Sequence, residues 1–232
     1  MVILAGGGGS RLGGVVKADL ELESNTFLDN ILNDLVTLGI DPQDIVVVGP
    51  AALAQTPGGQ LRSEISYTME DPPGSGPAAG LLAGVRWLLE RQAPSGRQAQ
   101  PGGKDASGEW APSGRQAQPG EATYPGGKAP SSPWIFALAC DAPYCARALP
   151  QLYAALDTTS DGICATDRTG HRQYLLGIYR GQALAQAGGK ATNRSVRALL
   201  EPLRLKELAL DETLIQDVDT WQDFDQVKKS KR

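Results

Sequence analysis

The sequence predicts an α/β fold: a single-domain, Rossmann-like three-layer sandwich around a mostly parallel sheet. Three observations carry this. Short apolar, partly β-branched runs at residues 1–5, 45–48 and 134–140 have the length and pattern of buried strands. Between the first two, Phe27, Ile31, Leu35 and Leu38 recur on one helical face, with Gly39 as the stop. Glycine-rich loops follow the strands. The strand, helix, strand order implies parallel strands joined by right-handed crossovers. At 232 residues, 41% of them hydrophobic, the chain can bury a full core in one such domain.

The first run delivers the chain into Leu4-Ala5-Gly6-Gly7-Gly8-Gly9-Ser10-Arg11-Leu12-Gly13-Gly14-Val15-Val16-Lys17. Backbone N–H groups of such a loop can close around an anion, while Arg11 and Lys17 bring mobile positive charge to phosphate oxygens. A Walker loop is excluded, because Val15 and Val16 separate Gly14 from Lys17 and Ala18 follows the lysine. The three-glycine dinucleotide fingerprint also fails, since each register puts Ser10, Arg11 or Leu12 where glycine is required. A flexible turn is the plain alternative. A strand before the glycines and two basic residues at this spacing favour a nucleotide loop of a third kind.

Beyond Lys17, residues 18–22 alternate like a half-exposed extended segment, and residues 65–69 read as a third strand. The loop of residues 70–80 follows it, and the next helix turns Leu81, Leu82, Val85, Leu88 and Leu89 toward the core. Ligands of open parallel sheets gather at the carboxyl ends of the strands, so the two loops should face each other. Residues 92–132 are different in character. The ten residues 93–102 recur letter for letter at 111–120, and the stretch is rich in Gly, Pro, Gln, Ser and Ala. It reads as a disordered, low-complexity surface insertion without a catalytic role.

The strand at 134–140 ends in Asp141-Ala142-Pro143-Tyr144. An acid directly after a buried strand, in a turn fixed by proline, is where an α/β enzyme would hold a divalent cation; Mg²⁺ prefers one or two carboxylates plus substrate phosphates. Capping of the helix near Arg147 is the competing role of Asp141. Gly162 to Thr166 reads as a strand, the following four residues as a tight turn, and Ser195 as the cap of a helix carrying Val196, Leu199 and Leu200. Arg197 at that helix start would welcome an anion. Thr220 and Asp223 have capping-box spacing, and Asp217 and Asp219 share one face of an extended segment. His171, the one histidine of the chain, reads as a solvated loop residue.

The first loop, the Asp71…Gly76-Pro77-Ala78-Ala79-Gly80 segment and Cys140-Asp141-Ala142-Pro143-Tyr144 together resemble the molybdenum cofactor guanylyltransferases, nucleotidyltransferases with the nucleotide-diphospho-sugar transferase fold. Three motifs in order are far more specific than one. The resemblance implies transfer of GMP from GTP to molybdopterin with release of pyrophosphate, Mg²⁺ on Asp141, and Arg11 and Lys17 on the triphosphate, with Arg11, Lys17 and Asp141 as the catalytic set. Leu4, Ala5, Gly6, Gly7, Gly14, Lys17, Asp71 and Gly76 would bind the nucleotide. Arg172, Gln173, Arg180, Arg197, Asp217 and Asp219 would face the pterin. Two positions depart from the family pattern: Val16 stands where many members carry an acid, and Trp221 where they carry proline. Cytidylyl transfer to the same pterin and guanylyl transfer to a phospholactate are rival chemistries, and a nucleotide-binding module that delivers cofactor without catalysis is the rival from another class.

Charge and composition narrow the partners. A net charge of −4 argues against a nucleic-acid surface. Three cysteines without paired spacing suggest a reduced cytoplasmic protein rather than a zinc or redox site. With no signal region and no apolar run long enough to span a membrane, the expected substrates are soluble. The resemblance adds transient contact with molybdoenzymes or their chaperones.

Overall fold

The computed structural model describes residues 1–6, 8–9, 12–22, 24–55, 60–92, 133–188 and 194–229. Gly7, Arg11 and nearly all of the 92–132 insertion, including its duplicated segment, lie outside them. In chain order the elements are β1 (Val2–Leu4), β2 (Gly8–Gly9), β3 (Val15–Val16), β4 (Glu21–Leu22), β5 (Asn25–Thr26), α1 (Phe27–Thr37), β6 (Val46–Val48), β7 (Ser66–Thr68), α2 (Pro77–Gln92), β8 (Trp134–Ala139), α3 (Leu149–Ala155), β9 (Gly162–Thr166), β10 (Arg172–Arg180), α4 (Gly181–Ala187), α5 (Val196–Leu200), β11 (Leu205–Ala209), α6 (Glu212–Ile215) and α7 (Trp221–Lys229).

Seven strands form one sheet in the order β11-β9-β10-β8-β1-β6-β7. All neighbours are parallel except β10, which runs antiparallel to both β8 and β9. The exception has a local cause: β9 and β10 are joined by the tight turn at residues 167–170, where Gly170 N–H donates to the Asp167 carbonyl at 3.0 Å. So short a connection can pair strands only antiparallel.

Strand alternation builds two apolar layers. Ile3 and Val47 face one side, packing with Leu28, Ile31, Leu32 and Leu35 of α1 and Leu149 and Leu152 of α3. Val2, Leu4, Val46 and Val48 face the other, against Leu81, Val85 and Leu88 of α2 and Leu199 and Leu200 of α5. The three-layer arrangement follows from this alternation. α2 lies close to the sheet because of its glycines: a Cβ on Gly84 would come within 2.5 Å of Val2 Cγ1. A third apolar group, with Leu12, Leu20, Phe27, Tyr144, Val218 and Val227, ties the loop after β1 to the C-terminal segment.

Local signals in the sequence match the observed caps. Thr26 Oγ1 accepts from Asp29 N–H at the start of α1, Ser195 accepts from Ala198 N–H at 3.1 Å, and Thr220 and Asp223 bond reciprocally ahead of α7. One expectation needs correction. Residues 17–19 are not extended but form a 3-10 turn, closed by Leu20 N–H donating to the Lys17 carbonyl, and only Glu21–Leu22 is strand. That turn carries Lys17 inward. Among the described residues no helix is long and apolar enough to cross a membrane.

Candidate active site

The carboxyl ends of β1 and β8 lie side by side, so the chain segments leaving them, toward Lys17 and into Asp141, emerge at one edge of the sheet. Lys17 Nζ lies 3.8 Å from Asp141 Oδ2 and hydrogen-bonds to Asp219. The C-terminal acids arrive through a backbone contact: Val218 N–H donates to the Asp141 carbonyl at 3.0 Å, and the Val218 side chain is fully buried in the third apolar group. With Val218 turned inward, Asp217 and Asp219 on either side of it are presented to the lysine.

The electrostatics of this group are unbalanced. Burial pushes the Asp141 carboxyl above its ordinary value; Lys17 opposes the shift and Asp217 adds to it. Burial likewise raises Asp217, with Asp219 as the next cause. Burial works against the charge of Lys17, but the Asp219 hydrogen bond and the charges of Asp141, Asp219 and Asp217 prevail and hold the ammonium above the usual lysine range. Three carboxylates thus surround one described ammonium. The donor set is hard oxygen, which suits Mg²⁺, and an added cation would relieve the carboxylate repulsion. Among the described residues no three His, Cys, Asp or Glu side chains stand close enough to cage a metal on their own.

Asp141 and Asp217 line a cavity of about 210 Å³ with Gln173, Tyr174, Leu175, Leu176, Val196 and Cys145. A bulge shapes this wall. Gln173 pairs with Ala165 but Gly177 pairs with Cys164, so residues 174–176 are extra on β10 and form the cavity side. The Tyr179 hydroxyl, inside the core, donates to the Tyr174 carbonyl at 2.6 Å and fixes the bulge. A Cβ at Gly177 would collide with that same hydroxyl, so the position demands glycine. Next to this cavity a groove of about 380 Å³ shares Tyr174 and is lined by His171, Arg172, Arg197 and Glu201. Its two arginines already have partners: Arg172 Nε lies 2.7 Å from Glu207 and Arg197 lies 3.4 Å from Glu201.

The structure distributes the remaining expected residues unevenly. The Leu4 carbonyl accepts from Cys140 N–H and Ala5 N–H donates to the Val48 carbonyl, which carries the sheet pairing on past β1. Gly6 and Gly14 are exposed on the loop. Asp71 is exposed just beyond β7, and the carbonyl of Arg194 lies 3.7 Å from where a Cβ of Gly76 would stand, so the α2 loop and the α5 loop meet. Arg180 is a correction. It lies at the far end of β10, at the opposite edge of the sheet, with its guanidinium 4.4 Å from the Trp134 ring centre and bonded to the Ser160 and Thr158 carbonyls. Measured along β9, Arg172 stands opposite Thr166 and Arg180 N–H bonds to the Asp161 carbonyl, so at about 3.3 Å per residue Arg180 lies roughly 16 Å from the end that bears Arg172.

Sequence reasoning missed one charged group entirely: Arg62, fully buried and bonded to Asp19 and Asp29. Its partners stand 33 and 43 residues away in the chain, so no local pattern marks them. The three cysteines are unpaired and buried. Burial raises the thiols of Cys140 and Cys145 strongly and that of Cys164 to about 11, which leaves all three protonated at neutral pH and unsuited as nucleophiles.

A family model for the MobA-like NTP transferase domain matches residues 1–209. The chain belongs to this family. A curated relative, the molybdenum cofactor guanylyltransferase of Acidiphilium cryptum (strain JF-5), is 44% identical over 90 residues. That match takes in 37% of this chain and 41% of the relative, so it spans well under half of the relative's length. Molybdopterin-guanine dinucleotide biosynthesis protein A from Archaeoglobus fulgidus has the same fold, with a TM-score of 0.61 at 16% identity over 100% of this chain and 98% of that one. The manganese complex of Rv0371C from Mycobacterium tuberculosis H37Rv superposes with a TM-score of 0.58 at 18% identity, covering 99% and 97%.

Proposed function

We propose that this protein is a nucleotidyltransferase that moves GMP from GTP to the phosphate of molybdopterin and releases pyrophosphate. The observation that carries the reading is the 3.8 Å approach of Lys17 to Asp141 at the carboxyl edge of the sheet, where nucleotide ligands of parallel sheets bind. An oxygen of the acceptor phosphate attacks the α-phosphorus in line as the bond to pyrophosphate breaks. The work of the protein is alignment and charge, and no covalent nucleophile is required.

Each residue then has a task. Lys17, held fully charged, exchanges its Asp219 partner for phosphate oxygens and stabilises the charge that grows on the departing pyrophosphate. Asp141, with Asp217 beside it, would hold a magnesium ion, which would supply charge neutralisation of the triphosphate there. The bulged wall at residues 174–176 and the adjoining groove with Arg172 and Arg197 give a pterin and its phosphate a surface on the acceptor side. Arg11 and Gly7 complete the nucleotide loop in this reading. In this reading the reaction is cytoplasmic, with hand-over of product to molybdoenzymes or their chaperones. The fold match to a manganese-bound protein agrees with a divalent ion in this seat.

Pyrophosphate release measured with GTP, CTP and ATP in turn, with magnesium and with or without molybdopterin, tests the proposal. Release that needs both GTP and molybdopterin is the expected result. Preference for CTP would reassign the base, and nucleotide binding without any release would make the chain a binding module.

A further inference from the structure

Arg62 belongs to none of the loops that carry the proposed chemistry. It sits on a 3-10 turn, Gln60–Ser63, ahead of β7, and its side chain is 2% exposed. All five guanidinium N–H groups have acceptors. Nε donates to Asp29 Oδ1 at 2.7 Å, and Nη2 donates to Thr26 Oγ1 at 2.6 Å and to Asp29 Oδ2 at 3.3 Å. Nη1 donates to Asp19 Oδ1 at 3.0 Å and to the Leu53 carbonyl at 2.9 Å. One buried cation therefore clasps three segments that are distant in sequence: the turn Lys17–Asp19, the start of α1, and the 3-10 turn Ala51–Ala54.

Two of those segments border the proposed site. Asp19 is in the same three-residue turn as Lys17, so the bond that fixes Asp19 fixes the backbone from which the lysine extends. Leu53 and Ala5, the residue after β1, flank Gly49 in one apolar cluster: a Cβ on Gly49 would stand 3.1 Å from both Leu53 Cδ1 and the Ala5 carbonyl carbon. Burying a guanidinium costs solvation that its ion pairs only partly return, and an apolar residue of similar volume commonly gives equal or greater stability. A planar five-donor group can hold several chain segments in one relative geometry, which neither an apolar side chain nor a lysine can do.

We infer that Arg62 is a positioning residue for nucleotide binding: through Asp19 it sets the direction in which the Lys17 ammonium meets the triphosphate. The inference rests on the proposed role of Lys17 in holding that triphosphate. It makes Asp19 its relay and gives Asp29 and Thr26 the part of anchoring the guanidinium to α1.

The test measures GTP affinity with magnesium by calorimetry, alongside the kinetics of pyrophosphate release and thermal melting, for the full chain and four variants. Asp19→Asn keeps the side-chain shape while weakening the bond to Arg62. It should raise the GTP dissociation constant and KM about tenfold and lower kcat as well, with the melting temperature nearly unchanged. Arg62→Lys should bind GTP as weakly as Asp19→Asn and melt below the parent, since one ammonium cannot reach Asp19, Asp29 and Leu53 together and leaves buried acceptors unpaired. Asp19→Asn combined with Lys17→Ala should bind no more weakly than Lys17→Ala alone. A purely structural role would instead lower kcat and the melting temperature together at constant KM, and that outcome overturns the inference. Normal GTP affinity in Asp19→Asn while Lys17→Ala binds poorly overturns it alone; normal affinity in Lys17→Ala removes the reading of Lys17 on which it rests.

Discussion

Aspartates at the two edges of the sheet are treated in opposite ways. At the carboxyl edge, burial and neighbouring negative charge push Asp141 and Asp217 upward from their ordinary values. At the opposite edge Asp161 is pulled down by its hydrogen bonds to Arg204, and the N–H groups of Ser160 and Thr159 hold Asp157 down at about 2. The second pair sits in turns whose donors point at the carboxylates, so folding satisfies them. Among the described residues, the first pair is gathered around the single ammonium of Lys17, with burial and the neighbouring carboxylates working against their charge. Such an arrangement is unfavourable for the protein alone and favourable once positive charge and a polyphosphate arrive, which is the mark of a site built for a ligand.

The largest effect should come from removing charge at the carboxyl edge. Asp141→Asn is expected to lower kcat/KM for pyrophosphate release by at least 100-fold, while its melting temperature stays equal to the parent or rises, because a disfavoured carboxylate has been removed. Lys17→Ala should raise the barrier by about 3 kcal/mol, the size of the loss of one charge-stabilising donor. Kinetics and melting curves on the same preparations check both. If Asp141→Asn kept its activity and lost stability, the carboxyl edge would be structural and the contrast between the edges would vanish.

Arg180→Ala breaks the other side of the comparison. The guanidinium stacks on Trp134 and bonds two carbonyls at the edge away from the cavity, so its loss should cost about 1 to 2 kcal/mol of stability. KM for GTP and for molybdopterin should not move. Denaturant unfolding together with steady-state kinetics separates the two, and a raised pterin KM would return Arg180 to the acceptor site.

Arg180 also shows where sequence reading ends. From the sequence, Arg172 and Arg180 are grouped together on the pterin side, yet they are eight residues apart on β10 and lie at opposite edges of the sheet. A strand rises far enough per residue that proximity in sequence loses its meaning within a few positions. What could be read depended on local chemistry: the buried strand before Asp141, the caps at Ser195 and Thr220, and the alternation that puts Asp217 and Asp219 on one side of Val218. What could not be read depended on contacts across the fold. The 3-10 turn at Lys17 replaces an extended segment because Asp19 is drawn to Arg62, 43 residues on. The cavity wall exists because three extra residues enter β10, and only pairing with β9 defines them as extra.

The smallest effect lies in the turn that holds Asp157, and it sharpens the contrast through pH. The Asp157 carboxylate accepts from Thr159 N–H and Ser160 N–H, each at 2.8 Å. Those bonds lower its folded value from 3.8 to about 2. A depressed carboxylate contributes stability that is fully present above the unfolded value and is lost as pH falls toward the folded one. Asp157→Ala should therefore melt slightly below the parent at pH 6, and the gap should narrow as pH is lowered through 4 to 3. Asp141→Asn has the opposite sign: at pH 6 it should melt at or above the parent, and its advantage should fade on acidification as the raised Asp141 of the parent takes up its proton. Melting curves across this pH range would thus show the two edges approaching the parent from opposite sides; two gaps of the same sign would mean that both aspartates are held by the same physics.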